Sequence, residues 1–477
     1  MTTSRMLASL FLIVFLAHAN ATEVAGSKEP SPVRAQLDRF LEAYNANDRD
    51  TFATFVRAHG SEPMQQEGPV RLALIWYKVL GGFDAIEVVE SSPFALTGFV
   101  RTRESLDVLN VTLSVEPEPP HRMVTVLFNG DELPERYLPR RLPAAAAAEI
   151  WRAEAARLAT IDKFSGAILF ASGKDVLVRD AFGFADRERR IPNTVQTRFR
   201  TASVTKMFTA VAVLRLVQDR RISLDDPIGE HVREIANEPL GRGTVHQYLT
   251  HTAGAGDLFD ERYFGHQREL RSHDDYLRVF GKDLLKNSPG HEFAYSNLGY
   301  MLLGSLIERV TGKGWDAAVK KAVFAPARMT RTGTEPEDVA VADRAIVYDR
   351  PLGVRDIISA MDHIDYRPFA ACGAYTTVDD LARFFDALRS HRLLNEKYTG
   401  LMLSPEGMSV DGSMYGYGVK VGDSSSGHWI GHDGADRGMN AEAWFSPKTG
   451  EVLVVLSNFD APAAEKAKEF LLDRLLK

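Results

Sequence analysis

Across residues 33–57 the apolar side chains Leu37, Phe40, Leu41, Tyr44, Phe52, Phe55 and Val56 return every third or fourth position. That spacing lines them up on one helical face, with a break around Asn47–Asp50. A second amphipathic stretch, about 69–80, stops at Gly81-Gly82. The period then falls towards two, through Ile86–Val89, Ala95–Arg101, Ser105–Val115 and Arg122–Phe128. Pro93, Asn110 and the P-E-P-P of 117–120 punctuate these runs. Helices followed by an antiparallel meander predict a small α+β domain over residues 33–130.

Residues 131–143 carry Pro134, Pro139 and Pro143 and read as a linker. A helix follows from Ala144 to about Ile161, with Ile150, Trp151, Ala155 and Leu158 expected on its apolar side. Gly166–Ala171 and Asp175–Phe182 form a predicted hairpin, and Thr197–Thr201 is a short extended stretch. From Met207 to Val217 nearly every residue is apolar, which predicts a helix buried all round. Two more helices are predicted over 295–312 and 378–388, strands over 428–430, 441–446 and 451–457, and a closing helix over 460–476. Strands at both ends of the segment with helices between them predict a single antiparallel sheet covered by helices. The second domain thus spans residues 144–477, and the fold class of both domains is α+β.

Composition narrows the functions open to such a chain. With 57 basic and 64 acidic residues the net charge is -7, and no basic block stands out, so nucleic acid is not an expected partner. The single cysteine, Cys372, excludes an internal disulfide framework and a multi-cysteine metal site. His291-Glu292 does not continue as H-E-x-x-H, and no phosphate-loop motif is present, so neither metal nor cofactor is expected. Residues 1–21 read as an export signal: Arg5, then the apolar run Met6–Ala17, then Ala19-Asn20-Ala21 as a cleavage site. The run is short for a bilayer span, so the expected protein is periplasmic or secreted, without a membrane anchor once cleaved.

The buried helix opens on Ser203-Val204-Thr205-Lys206. Three residues apart on a helix, a hydroxyl and an amine share one face and can touch. Burial and the partial positive charge of a helix start both push a lysine pKa down, so Lys206 can serve as the base that activates Ser203. Two further signals follow in order: Tyr295-Ser296-Asn297 before a second buried helix, and His432-Asp433-Gly434 on a strand near the C-terminus.

Together with Y-L-T-H-T-A-G (248–254), Y-S-N-L-G-Y-M-L-L-G (295–304), G-A-Y-T-T-V-D-D-L-A-R-F (373–384), Y-G-Y-G (415–418) and G-H-D-G (431–434), these motifs resemble the serine β-lactamase and penicillin-binding protein superfamily. The resemblance is to the class C-like branch, with its esterases and D-amino-acid peptidases, and covers about residues 145–477. It implies a β-lactamase/transpeptidase-like domain in which Ser203 is acylated and Lys206 helps remove its proton. Tyr295 would relay a proton, or act as a phenolate whose pKa Lys206 lowers. Asn297 would hydrogen-bond Lys206 and the substrate carbonyl. The backbone N–H groups of Ser203 and of Ala435, just past Gly434, would form the oxyanion hole.

One motif departs from the pattern. Where penicillin-binding proteins carry K-T-G, this chain has His432-Asp433-Gly434. A histidine is mostly neutral at neutral pH, and a cleft-facing Asp433 would repel a substrate carboxylate. Both changes favour neutral esters or amides over β-lactams and D-Ala-D-Ala ends, unless Arg437 restores a cation. The expected partner is a small ester, peptide or cell-wall-derived substrate, with β-lactamase or D-Ala-D-Ala carboxypeptidase as the alternative subclass. An idle peptidoglycan- or peptide-binding sensor, or a metal-dependent hydrolase, are alternatives of other classes. His251 is expected to hold a loop near the site, and Cys372 to be a small buried residue. In the first domain, F-L-E-A-Y-N-A-N-D-R-D weakly resembles the ketosteroid-isomerase-like cone fold, implying helices over a curved sheet and an accessory role.

Overall fold

Ser31 starts the first helix: its hydroxyl accepts the Arg34 N–H at 3.2 Å, and Pro32 takes the first helical position. The computed structural model describes residues 30–476 except 106, 131–132, 353, 355, 406 and 409–412; the expected export signal lies outside them. The chain divides into two compact units, one ending at Arg140 and joined by residues 350–357, the other comprising 141–349 and 358–477.

In the first unit, α1 (Pro32–Asn45), α2 (Arg49–His59) and α3 (Glu67–Leu80) precede four strands: β1 (Phe83–Ser92), β2 (Ala95–Thr102), β3 (Val108–Val115) and β4 (Met123–Asn129). Asp48 caps α2 by accepting the Thr51 N–H at 2.7 Å, which is why the helical run breaks where it does. The strands pair antiparallel in chain order, β1-β2-β3-β4. Val100, Val111 and Leu113 alternate onto one buried face and pack with Leu37 and Phe40 of α1.

The second unit is organised on an eight-stranded antiparallel sheet. Helix α4 (Ala144–Thr160) leads to the hairpin β5 (Gly166–Ser172) and β6 (Asp175–Phe182). The remaining strands come from the other end of the chain: β7 (Gly407–Met408), β8 (Met414–Tyr415), β9 (Lys420–Ser424), β10 (Gly427–Asp436), β11 (Met439–Phe445) and β12 (Val452–Ser457). The order β7-β8-β9-β10-β11-β12-β5-β6 closes the sheet by pairing β12 with β5, as the two-ended strand pattern predicts.

Between these strands run α5 (Thr205–Gln218), α6 (Asn297–Thr311) and α7 (Val378–Arg389); α8 (Ala463–Leu472) follows β12. Helix α5 is buried along nearly its whole length, and Phe208 meets Phe384 of α7 edge-on at 5.3 Å. Ser296 caps α6 through the Gly299 N–H, and Gly312, with φ 66°, ends it in the left-handed conformation. Helices α4 and α8 are joined by Trp151, whose indole N–H donates to the Ala467 carbonyl at 2.7 Å. Two details differ from the pattern reading. Ile150 is 43% exposed, because Trp151 takes the inward position beside it. Helix α8 is shorter at both ends than expected, starting just after Pro462, which cannot donate within a helix. Among the described residues, no helix is long and apolar enough to cross a membrane.

Candidate active site

Ser203 lies in a 3-10 turn, Ala202–Val204, that feeds directly into α5, so it precedes the α-helix rather than sitting inside it. The turn is held by the segment 371–377. Thr201 N–H and Oγ1–H both donate to the Ala374 carbonyl, at 2.9 and 2.7 Å, and Ala374 N–H donates to Thr205 Oγ1 at 3.1 Å. Ala202 sits at φ 43°, a left-handed conformation in a residue that carries a Cβ. Such strain persists only where surrounding contacts over-determine it. Its result is a half-buried Ser203 at the mouth of a buried helix.

Lys206 is fully buried, and three acceptors surround its Nζ: Ser203 Oγ at 3.0 Å, Asn297 Oδ1 at 2.7 Å and the Ala371 carbonyl at 3.0 Å. Burial pushes the ammonium down to about 8, opposed by the nearby negative groups that include Asp257 and Asp433. A neutral amine keeps two N–H groups for Asn297 and Ala371, leaving its lone pair for the Ser203 proton.

Tyr295 closes the other side. Its hydroxyl lies near enough to that of Ser203 to feel it electrostatically, and its ring centroid lies 4.8 Å from Lys206 Nζ. Burial raises this phenol well above its ordinary value, which favours the proton-relay reading over the phenolate one. Asn297 meets Lys206 as expected, but its amide N–H₂ also donates to Asp257 Oδ2 at 3.1 Å. His251 accepts the Ser296 N–H on Nδ1 at 3.1 Å and lies 4.3 Å from the Tyr295 ring, buried and held neutral by desolvation. It therefore shapes the loop under Tyr295, as the sequence implies. Cys372 is buried and its thiol is pushed up by desolvation.

Strand β10 brings the third motif alongside. Gly434 lies so near the nucleophile turn that an added Cβ would come 2.2 Å from the Thr201 carbonyl and 3.0 Å from the Ser203 nitrogen. Only glycine lets the strand approach the Ser203 N–H this closely. Ala435 follows, exposed on the same strand and opposite Asn440 of β11. His432 is buried; its Nε2 accepts from the Tyr415 hydroxyl at 3.0 Å and its Nδ1–H donates to the Asp433 carbonyl. Desolvation lowers His432 to about 4, so it is a neutral wall of the site.

Asp433 does not stand alone beside the site. Lys420, opposite Gly431 on β9, reaches diagonally to Asp433 Oδ1 at 2.8 Å. Burial alone would raise the Asp433 carboxyl, but the Lys420 ammonium holds it well below the usual range. Arg437 is not available to a substrate carboxylate either: its Nε binds Asp349 Oδ2 at 2.7 Å. Sequence reading missed three contributors. Asp257 and Lys420 lie outside the three motifs, and Ala371 acts through its backbone carbonyl.

A profile of the Beta-lactamase family matches residues 152–476. Protein flp of Staphylococcus aureus strain MRSA252 is 25% identical over 316 residues, which cover 64% of this chain and 61% of that protein. Esterase EstB of Burkholderia gladioli is 33% identical over 252 residues, covering 46% of this chain and 63% of the relative. The matched part of the chain thus spans about three fifths of the length of these curated relatives. A penicillin-binding protein from Bacillus halodurans superposes with a TM-score of 0.61 at 31% identity, covering 69% of this chain and 98% of that one.

Proposed function

The chain belongs to the Beta-lactamase family, and from that premise we propose that it is an exported serine hydrolase acting through an acyl-enzyme on an ester or amide with no carboxylate beside the scissile bond. The observation that carries the reaction type is the 3.0 Å contact between Lys206 Nζ and Ser203 Oγ in a buried setting that favours the neutral amine.

Neutral Lys206 takes the Ser203 proton as Oγ attacks the carbonyl carbon, and the carbonyl π pair moves onto oxygen. The Ser203 and Ala435 N–H groups stabilise that oxyanion. Tyr295 gives its proton to the leaving oxygen or nitrogen as the bond to carbon breaks, and recovers one from Lys206. Water then repeats the sequence on the acyl-enzyme, releasing the acid and restoring Ser203. Neutral His432 stands where the superfamily's lysine would, and Lys420 and Arg437 carry carboxylate partners, Asp433 and Asp349. This favours uncharged ester or amide substrates, in keeping with the name of the Burkholderia relative. The leader-like residues 1–21 support export, tested by sequencing the N-terminus of protein recovered outside the cytoplasm.

The test is a fluorophosphonate label followed by mass spectrometry, with a panel of a short p-nitrophenyl ester, a cephalosporin and a D-Ala-D-Ala peptide. The reading requires label on Ser203 and ester turnover that disappears in Ser203→Ala. Turnover of the cephalosporin or the peptide alone assigns the protein to the other subclass. Absence of label leaves a binding module.

A further inference from the structure

Ala371 gives Lys206 a carbonyl, and a carbonyl is only as well aimed as the peptide that carries it. Residues 369–372 form a tight turn in which Phe369 and Cys372 exchange both backbone hydrogen bonds, each at 3.0 Å. Ala370 and Ala371 stand between them, fully buried. Buried peptide groups need partners, and here side chains supply them.

Two elements hold Ala370. Thr209 of α5, three residues beyond Lys206, donates its Oγ1–H to the Ala370 carbonyl at 2.7 Å. On the other side His273, buried at the start of the helix His273–Phe280, accepts the Ala370 N–H on Nε2 at 3.3 Å. An amide N–H can only donate, so Nε2 presents its lone pair and the ring proton sits on Nδ1. Nδ1–H donates to Glu308 Oε1 of α6 at 3.0 Å. A carboxylate behind an imidazole in this way fixes its tautomer and its orientation. Trp315 ties the two arms together: its backbone N–H donates to the same Glu308 oxygen at 3.0 Å, and its indole N–H to Thr209 Oγ1 at 3.1 Å. The fit is close. A Cβ added at Gly304 of α6 would come 2.4 Å from His273 Nε2 and 2.6 Å from the Ala370 Cβ.

We propose that His273, held by Glu308, is a positioning residue for the base: with Thr209 it fixes the Ala370 peptide so that the Ala371 carbonyl takes one N–H of Lys206 and leaves the amine's lone pair aimed at Ser203. This rests on the hydrolase reading above, and it adds a histidine–carboxylate pair that acts on the base only through the turn.

The experiment measures kcat, KM and the pH profile of p-nitrophenyl acetate hydrolysis by the full chain, with circular dichroism on every variant. His273→Leu removes the acceptor, and His273→Gln puts an amide oxygen in the place of Nε2. His273→Leu is expected to lose about tenfold or more in kcat, with KM within about twofold, because the base is misaligned and substrate contacts are not. Its ascending limb should move to lower pH, since a carbonyl that no longer meets the amine no longer favours the ammonium. The groups whose charge Lys206 feels, Asp257, Asp433, Lys420 and Cys372, are the same in every variant. His273→Gln should return kcat to within about threefold of wild type and restore the limb. Thr209→Val withdraws the second hold and should act in the same direction as His273→Leu, so it decides the matter if the leucine variant does not fold. Wild-type kcat in folded His273→Leu or Thr209→Val overturns this proposal alone. So does a fall in kcat with the limb unmoved, or a glutamine variant as slow as the leucine one, since either marks lost packing and not lost aim. A wild type inert to both the ester and the fluorophosphonate label overturns the hydrolase reading and this proposal with it.

Discussion

Asn297 Oδ1 lies 2.7 Å from Lys206 Nζ and occupies one of the three directions in which that amine can bond. The geometry gives each partner a fixed share. Asn297 and the Ala371 carbonyl take N–H groups, and the remaining direction belongs to Ser203. The amine must be neutral for that last contact to carry a proton from serine to nitrogen.

The pH dependence follows. With Lys206 lowered to about 8, roughly a tenth of it is neutral at pH 7. The ratio kcat/KM should therefore rise about tenfold per pH unit below the midpoint and level off above pH 8. An unperturbed lysine would place that midpoint near 10.5. Tyr295 is raised well above 10, so no descending limb is expected below pH 10. A pH series with a neutral p-nitrophenyl ester, corrected for spontaneous hydrolysis, checks both limbs.

Asp257 touches the base at one remove, through Asn297, and its charge raises the Lys206 pKa. Asp257→Asn keeps an oxygen for the Asn297 amide and removes the charge. The ascending limb should then move to lower pH while the plateau stays within about threefold. Asp257→Ala removes the hydrogen bond as well and should cost about fivefold or more at the plateau, the worth of one such bond. Paired pH profiles of the two variants separate charge from positioning.

Gly434→Ala tests how closely β10 must approach the nucleophile. The new methyl would meet the Thr201 carbonyl at 2.2 Å, and backbone cannot yield as a flexible side chain does. The strand should move off and loosen the oxyanion site, lowering kcat by about 10²–10³ with the circular dichroism unchanged.

Lys420→Met strands the Asp433 carboxylate. Breaking a fully buried pair costs about 3–5 kcal/mol, but Asp433 is 37% exposed, so a loss of about 1–2 kcal/mol is expected. Adding Asp433→Asn should recover most of it. Urea unfolding of the wild type, both single variants and the double variant gives the coupling directly.

How much of this was readable from residues alone depended on how local each signal is. Ser203 and Lys206 announce themselves because three residues of helix hold them together, and Tyr295 because it stands just before the apolar run of α6. The two-ended sheet follows from strand periods at both ends of one segment. Lys420 was invisible because its meaning comes from register: only pairing with Gly431 brings it diagonally to Asp433. Ala371 contributes a carbonyl, which no side-chain pattern encodes. The protonation of Tyr295 stayed open between two options because its direction is set by burial, which only the packed fold determines.

The nucleophile turn precedes α5, α6 and α7, yet the strand that borders it, β10, and the strand that ties the sheet to β5 follow all three helices. A growing polypeptide therefore carries its serine and lysine through the making of α5, α6 and α7 before the strand that bears Gly434 can reach them. Truncation ahead of β10 would leave the reactive pair present with no strand beside it.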